Sequence, residues 1–153
     1  MIQKKFLISI SLLCLLSSCR YEEGPFINFT PVKDRIRGQW KVIAIEKNGT
    51  STTTEYPSIA EAHNNFFSFY ASEMLSISYI DDNIWCEING TYEFSSDKKK
   101  IIAAFSDKTN SYKRNYEIIK FKNKELKVKF TDEKNNKWVL EFSQIYSFLS
   151  YGM

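Results

Sequence analysis

The sequence predicts an all-β domain: eight antiparallel strands in up-and-down order, closed into a barrel, with a short helical insertion. Three observations predict it. Aromatic residues make up 16% of the chain against only 5 glycines and 3 prolines, a composition that suits well-filled pleated surfaces. Apolar and polar side chains alternate, most clearly in ELKVKF (residues 125–130), where Leu126, Val128 and Phe130 interleave with Lys127 and Lys129 to give one dry face and one wet one. Short polar turns separate these segments, so the strands follow one another as hairpins. Closing such a meander removes the two edges that would otherwise pair with other chains.

The elements follow in order. GQWKVIAIEKNG (residues 38–49) is a first strand ending in Asn48-Gly49, a dipeptide that tolerates positive φ. Residues 66–70 and 74–80 make two short strands joined by a weak turn at Ser72 and Glu73, and Asp81, Asp82 and Asn83 mark a firmer reversal. In IWCEINGTYEF (residues 84–94), Ile84, Cys86, Ile88, Gly90, Tyr92 and Phe94 share one parity, which predicts Cys86 as a small core hydrophobe. SSDKK then turns the chain into residues 101–105. Residues 116–121, 125–130 and 138–142 form three further strands linked by polar turns. Between Pro57 and Tyr70, the residues Ile59, Ala62, Phe66 and Tyr70 fall near helical spacing, and Pro57 suits a first helical position. A short helix over residues 57–63 and a plain loop both fit. Apolar residues also occur at the second parity, Ile43 and Ile45 beside Val42 and Ile119 and Phe121 beside Ile118, and these are either buried or form an outer patch.

The N-terminus has a different grammar. Lys4 and Lys5 precede an uncharged run of 11 residues from Phe6 to Leu16, a signal-peptide length and short of the roughly 20 that a spanning helix needs. The junction Leu16-Ser17-Ser18-Cys19 resembles the bacterial lipobox. That resemblance implies a signal peptide over residues 1–18, an acylated Cys19 opening a tether over residues 19–34, and a barrel domain over residues 35–153. Several acyl chains on one cysteine give durable attachment where one alone is marginal. Arg20 is not the aspartate of an inner-membrane retention signal, which implies the outer membrane. Glu22 and Glu23 are similar to the short acidic export signals of surface lipoproteins in the Bacteroidota, so a periplasm-facing and a cell-surface anchor both stand. Cys14 leaves with the signal, which strands Cys86 and excludes a disulfide within the mature chain.

Loss of Lys4 and Lys5 with the signal leaves 19 basic against 18 acidic residues, too balanced for the basic face that nucleic-acid binding starts from. His63 is the single histidine, so neither a nucleophile-histidine pair nor a clustered metal site is indicated. The expectation is no enzyme, no metal, no cofactor and a monomer.

Arg37-Gly38-Gln39-Trp40 resembles the Gly-x-Trp signature of lipocalins. The order GQWKV, EKNGT, INGTYEFSSDKKKI and YEIIKFKNKELKVKF is similar to the lipocalin-like lipoproteins of Bacteroidota and covers residues 35–142. The resemblance implies that Trp40 plugs the closed end. Thr131-Asp132 faintly resembles the second lipocalin motif, whereas the basic residue that lipocalins place over the tryptophan from near the last strand has no counterpart in residues 138–150. In an eight-stranded barrel the inward rings of Tyr92, Tyr116, Phe130 and Trp138 either line a site for one small apolar or amphipathic molecule or fill the interior. With the interior filled, the chain is instead an envelope protein whose exterior contacts a protein or glycan partner.

Overall fold

In a computed structural model of the chain, residues 30–52, 65–81, 83–106 and 111–148 are described. Cys19, His63 and the helix-or-loop segment 57–63 lie outside them. A helix α1 (Val32–Ile36) is followed by strands β1 (Gly38–Lys47), β2 (Thr50–Ser51), β3 (Phe66–Phe69), β4 (Met74–Asp81), β5 (Ile84–Phe94), β6 (Lys100–Ser106), β7 (Ser111–Lys122), β8 (Glu125–Thr131) and β9 (Lys137–Ser147). Each strand from β3 to β9 pairs antiparallel with the next, β1 pairs with β3, and β9 returns to β1. The result is a closed barrel of eight strands, with β2 a two-residue addition beyond the Asn48-Gly49 turn. Asn48 (φ 52°) and Gly49 (φ 83°) adopt the left-handed conformation that this turn requires. The helix joins the last residues that the sequence reads as tether, 32–34, to Arg35 and Ile36, which it reads as the start of the barrel domain.

Alternation sets the register. Leu126, Val128 and Phe130 of β8 face Phe142, Leu140 and Trp138 of β9 inside the barrel. Outside, the intervening lysines meet acids across the strands, Lys127 with Glu141 at 2.8 Å and Lys129 with Glu117 at 3.2 Å. A one-residue slip would drive this charged face into the core, so the pattern specifies the pairing.

Two β-bulges dispose of the second-parity apolar residues. A register shift between Val42 and Ala44 leaves Ile43 on the surface and returns Ile45 to the interior at 1% exposure. A second shift, between Ile118 and Lys120, buries Ile119 and turns Phe121 inward. An extra residue in one strand reverses the parity downstream of it. Ile45 and Phe121 are therefore core residues and not part of an outer patch.

Cys86 departs from expectation: it is half-buried. Strand β5 pairs with β4 from Ile84 onward, but its pairing with β6 begins only at Gly90. The β4–β5 hairpin thus outruns the barrel wall, and Ile84 and Trp85 at its tip are exposed while Tyr92 and Phe94 are buried.

Candidate functional site

The barrel interior changes character from the α1 end to the distal end. At the α1 end, Trp40 is fully buried and its indole Nε1 donates to the Ile36 carbonyl at 2.7 Å. Phe121 meets it edge-on at 5.9 Å between ring centroids. The Arg35 guanidinium lies 4.1 Å from the Phe121 ring centroid and donates to the Phe121 backbone carbonyl. A cation does stand at this end, but over Phe121, not Trp40, and α1 supplies it from before Trp40. Gln144 of β9 donates to the Arg37 carbonyl at 3.0 Å and ties the two chain segments together.

The middle is packed with rings. Phe67 and Phe142 meet at 5.0 Å, as do Phe69 and Tyr92. The Tyr92 hydroxyl donates to the Tyr70 carbonyl at 3.0 Å, and burial pushes its pKa up. A cavity of about 10 Å³ lies among Phe67, Phe69, Ile101, Tyr116, Leu126 and Val128. That is room for one water at most.

The distal end mixes charge with rings. Trp138 and Phe130 stack at 6.4 Å with their planes 12° apart, and Tyr116 meets Phe130 edge-on at 5.3 Å. Lys47 pairs with Trp138 across β1 and β9 and so points inward, placing its Nζ 5.3 Å from the indole centroid. Arg114 shares the inward parity of Tyr112 and Tyr116, and its guanidinium lies 4.8 Å from the Phe130 centroid and 5.5 Å from that of Tyr112. Two cations therefore flank a stacked aromatic pair.

Asp132 orders the turn beside this cluster. It accepts from the backbone N–H groups of Lys134 and Asn136, from the Asn136 amide and, at 2.9 Å, from Trp138 Nε1. Its partial burial favours the neutral acid, but these four donors outweigh burial and hold the carboxyl well below the usual carboxylate range.

Of the residues singled out from sequence, Tyr116, Phe130 and Trp138 come together distally, Trp40 lies at the α1 end, and Tyr92 packs near that end against the β3–β4 turn. Arg114 and Lys47 were missed, and Asp132 was noted only as part of the Thr131-Asp132 resemblance. Strand parity carries a signal for Arg114, which alternates with Tyr112 and Tyr116 in YKRNY. Lys47 likewise follows Ile45.

The barrel also carries an external groove of about 820 Å³, lined among others by Glu46, Lys100, Glu117, Lys129 and Val139. Glu117, Lys129 and Val139 alternate with the buried Tyr116, Phe130 and Trp138, which places the groove on the outer wall.

Against solved structures, the fold resembles insecticyanin from the tobacco hornworm Manduca sexta, with a TM-score of 0.56 and 13% identity over 80% of this chain and 70% of that one. Looser likenesses include bovine odorant-binding protein complexed with its natural ligand (TM-score 0.45, 11% identity, 78% of this chain and 77% of that one) and with undecanal (0.46, 12%, 78% and 77%). No family model matches the sequence, and no curated protein matches it. The chain has a lipocalin-like barrel fold, closed by eight strands around an interior rich in aromatic rings.

Proposed function

We propose that this chain is a lipid-anchored envelope protein whose lipocalin-like barrel takes one small apolar or amphipathic molecule at the distal end of its interior. One observation carries the reading: the otherwise apolar interior ends distally in Lys47 and Arg114 lying on the faces of Trp138 and Phe130. Each such contact is worth about 0.5–1 kcal/mol where solvent reaches it, and a ligand that binds there takes over the ring faces. At the α1 end Arg35 likewise lies over the Phe121 ring, but entry there breaks the packing around the fully buried Trp40. The lipobox-like junction at Cys19 supports an outer-membrane anchor, facing either the periplasm or the exterior.

Native mass spectrometry of protein extracted from its own envelope tests both halves of the reading. The expected result is a diacylglyceryl mass on Cys19 and a small apolar molecule retained in a fraction of the protein. Unmodified Cys19, or protein that stays empty when challenged with medium-chain amphiphiles, counts against the corresponding half.

The small central cavity favours a second reading, in which the barrel is solid throughout and acts through its exterior on an envelope protein or glycan. That reading predicts no retained small molecule and the same midpoint of unfolding with and without amphiphiles.

A further inference from the structure

The outer wall at the α1 end carries a cluster of exposed apolar side chains that the barrel does not use. Gly38 pairs with Phe69 on one side and Ser147 on the other, so the residues just past those strand ends, Tyr70 and Phe148, come together with stacked rings 5.3 Å apart. Met74, whose carbonyl accepts from Tyr70 N–H, is 47% exposed, and Tyr146, beside Gln39 on the same wall, is 65% exposed. Ile145, the neighbour of Tyr146 in β9, is exposed as well. Exposed apolar side chains gathered at one end of a small protein suit a contact surface.

We propose that this wall is a lipid-contact face, lying against the bilayer that holds the anchor and turning the distal end of the barrel away from it. The proposal rests on the acylation of Cys19 read above. The 12 residues from Cys19 to Thr30 reach no more than about 43 Å even fully extended, so the bilayer stays close to the α1 end. The tether also delivers the barrel with the patch alongside it: Lys33 of α1 pairs at 2.6 Å with Glu73, which lies in the turn between Tyr70 and Met74. The residue types suit the membrane interface, where the ring of a tyrosine is buried at headgroup level and its hydroxyl stays wet. Tethering raises the effective concentration of the surface over the patch to about the millimolar range, so a contact too weak to hold a free domain is still populated. The second exposed apolar tip, Ile80, Ile84 and Trp85 on the β4–β5 hairpin, lies at the opposite end of the barrel, so one flat bilayer selects between the two.

The test places a reporter at each end. The full chain, purified from its native envelope, is reconstituted into phosphatidylcholine vesicles containing lipids brominated near the headgroup. It carries either Tyr146→Trp or Ile84→Trp, each combined with Trp85→Phe to remove the native exposed indole. The expected result is emission from Tyr146→Trp quenched about twofold or more strongly than that from Ile84→Trp. Equal quenching, stronger quenching of Ile84→Trp, or protection of Tyr146→Trp by self-association in detergent without vesicles overturns the proposal. Mass spectrometry of the same preparations keeps the two readings apart. Unmodified Cys19 removes the anchor, whereas acylated Cys19 with equal quenching removes only the lipid-contact face. Circular dichroism confirms that both variants keep their strands.

Discussion

Asp132 and Trp138 are tied across the β8–β9 turn: the indole Nε1 donates to Asp132 Oδ2 at 2.9 Å, and the same indole forms half of the stacked pair at the distal end of the barrel. Turn order and site order are therefore one network. Replacement of Asp132 by Ala strips acceptors from four donors, most of which water can reach, and is expected to cost about 1–2 kcal/mol in chemical denaturation. The pH dependence has a definite sign. The folded-state pKa is depressed, so the stabilisation is fully present above the unfolded value near 3.9 and fades as pH falls below it toward the lower folded-state value. Urea midpoints of wild type and Asp132→Asn should differ at pH 7 and converge in strong acid. A constant gap would show that the carboxylate charge has no part in the stabilisation.

Gly38 is expected to tolerate no side chain. Its φ of 140° lies outside the range that side-chain-bearing residues adopt, and a Cβ there would collide with the Tyr146 carbonyl and crowd the Gln144 amide. Gly38 joins β1 to both β3 and β9, so relief of the collision must open the barrel seam. Gly38→Ala is predicted to cost about 3 kcal/mol or more and to lower the thermal midpoint sharply. Gly49→Ala, with nothing within 4 Å of its added carbon, should cost only the positive-φ penalty of about 1 kcal/mol.

Arg35 is predicted to stabilise the α1 end through Phe121. Arg35→Ala loses both the ring contact and the hydrogen bond to the Phe121 carbonyl, about 1–3 kcal/mol together, and Arg35→Lys should recover only part of it because an ammonium lacks the planar fork. A double-mutant cycle with Phe121→Leu separates the two contributions. The ring contact appears as coupling energy, and the hydrogen bond to the backbone survives in the Phe121→Leu background.

The barrel was legible because its strands obey a period of two with few interruptions, β8 and β9 most plainly. What stayed hidden arises where that period breaks. The bulges at Ile43 and Ile119 invert parity without any sequence mark, so Ile45 and Phe121 read as candidates for an outer surface although they point inward. Cys86 sits at a core parity, yet its flank of β5 lacks a partner on the β6 side, and alternation alone does not encode how far a neighbouring strand extends. Helix α1 is only five residues long, too short for helical spacing to register, and so the cation over Phe121 at that end could not be read from the last strand. At the distal end the aromatic partners were visible as aromatics. Arg114 and Lys47 were passed over because charged residues on a strand are ordinarily assigned to its wet face, although Arg114 shares the parity of Tyr112 and Tyr116; the pairings of β7 and β1 show that both point inward.

The inward direction of Arg114 gives the ligand reading its sharpest consequence. An anionic apolar probe such as anilinonaphthalene sulfonate can exchange the guanidinium's contact with Phe130 for an ion pair while its rings cover the aromatic face. A neutral probe of the same size gains only the face. The wild type is therefore expected to bind the anionic probe more tightly, by about 1 kcal/mol or roughly fivefold, as followed by probe emission and by the fluorescence of Trp138. Arg114→Gln should abolish that preference and leave affinity for the neutral probe unchanged or slightly raised, because the Phe130 face is then vacated. Lys47→Gln should act in the same direction and more weakly, since its ammonium stands farther from its ring. Equal loss of both probes in Arg114→Gln would mean that Arg114 supports the wall of the barrel and does not select the ligand. Binding of neither probe by the wild type would leave the solid barrel and its outer wall as the functional surface.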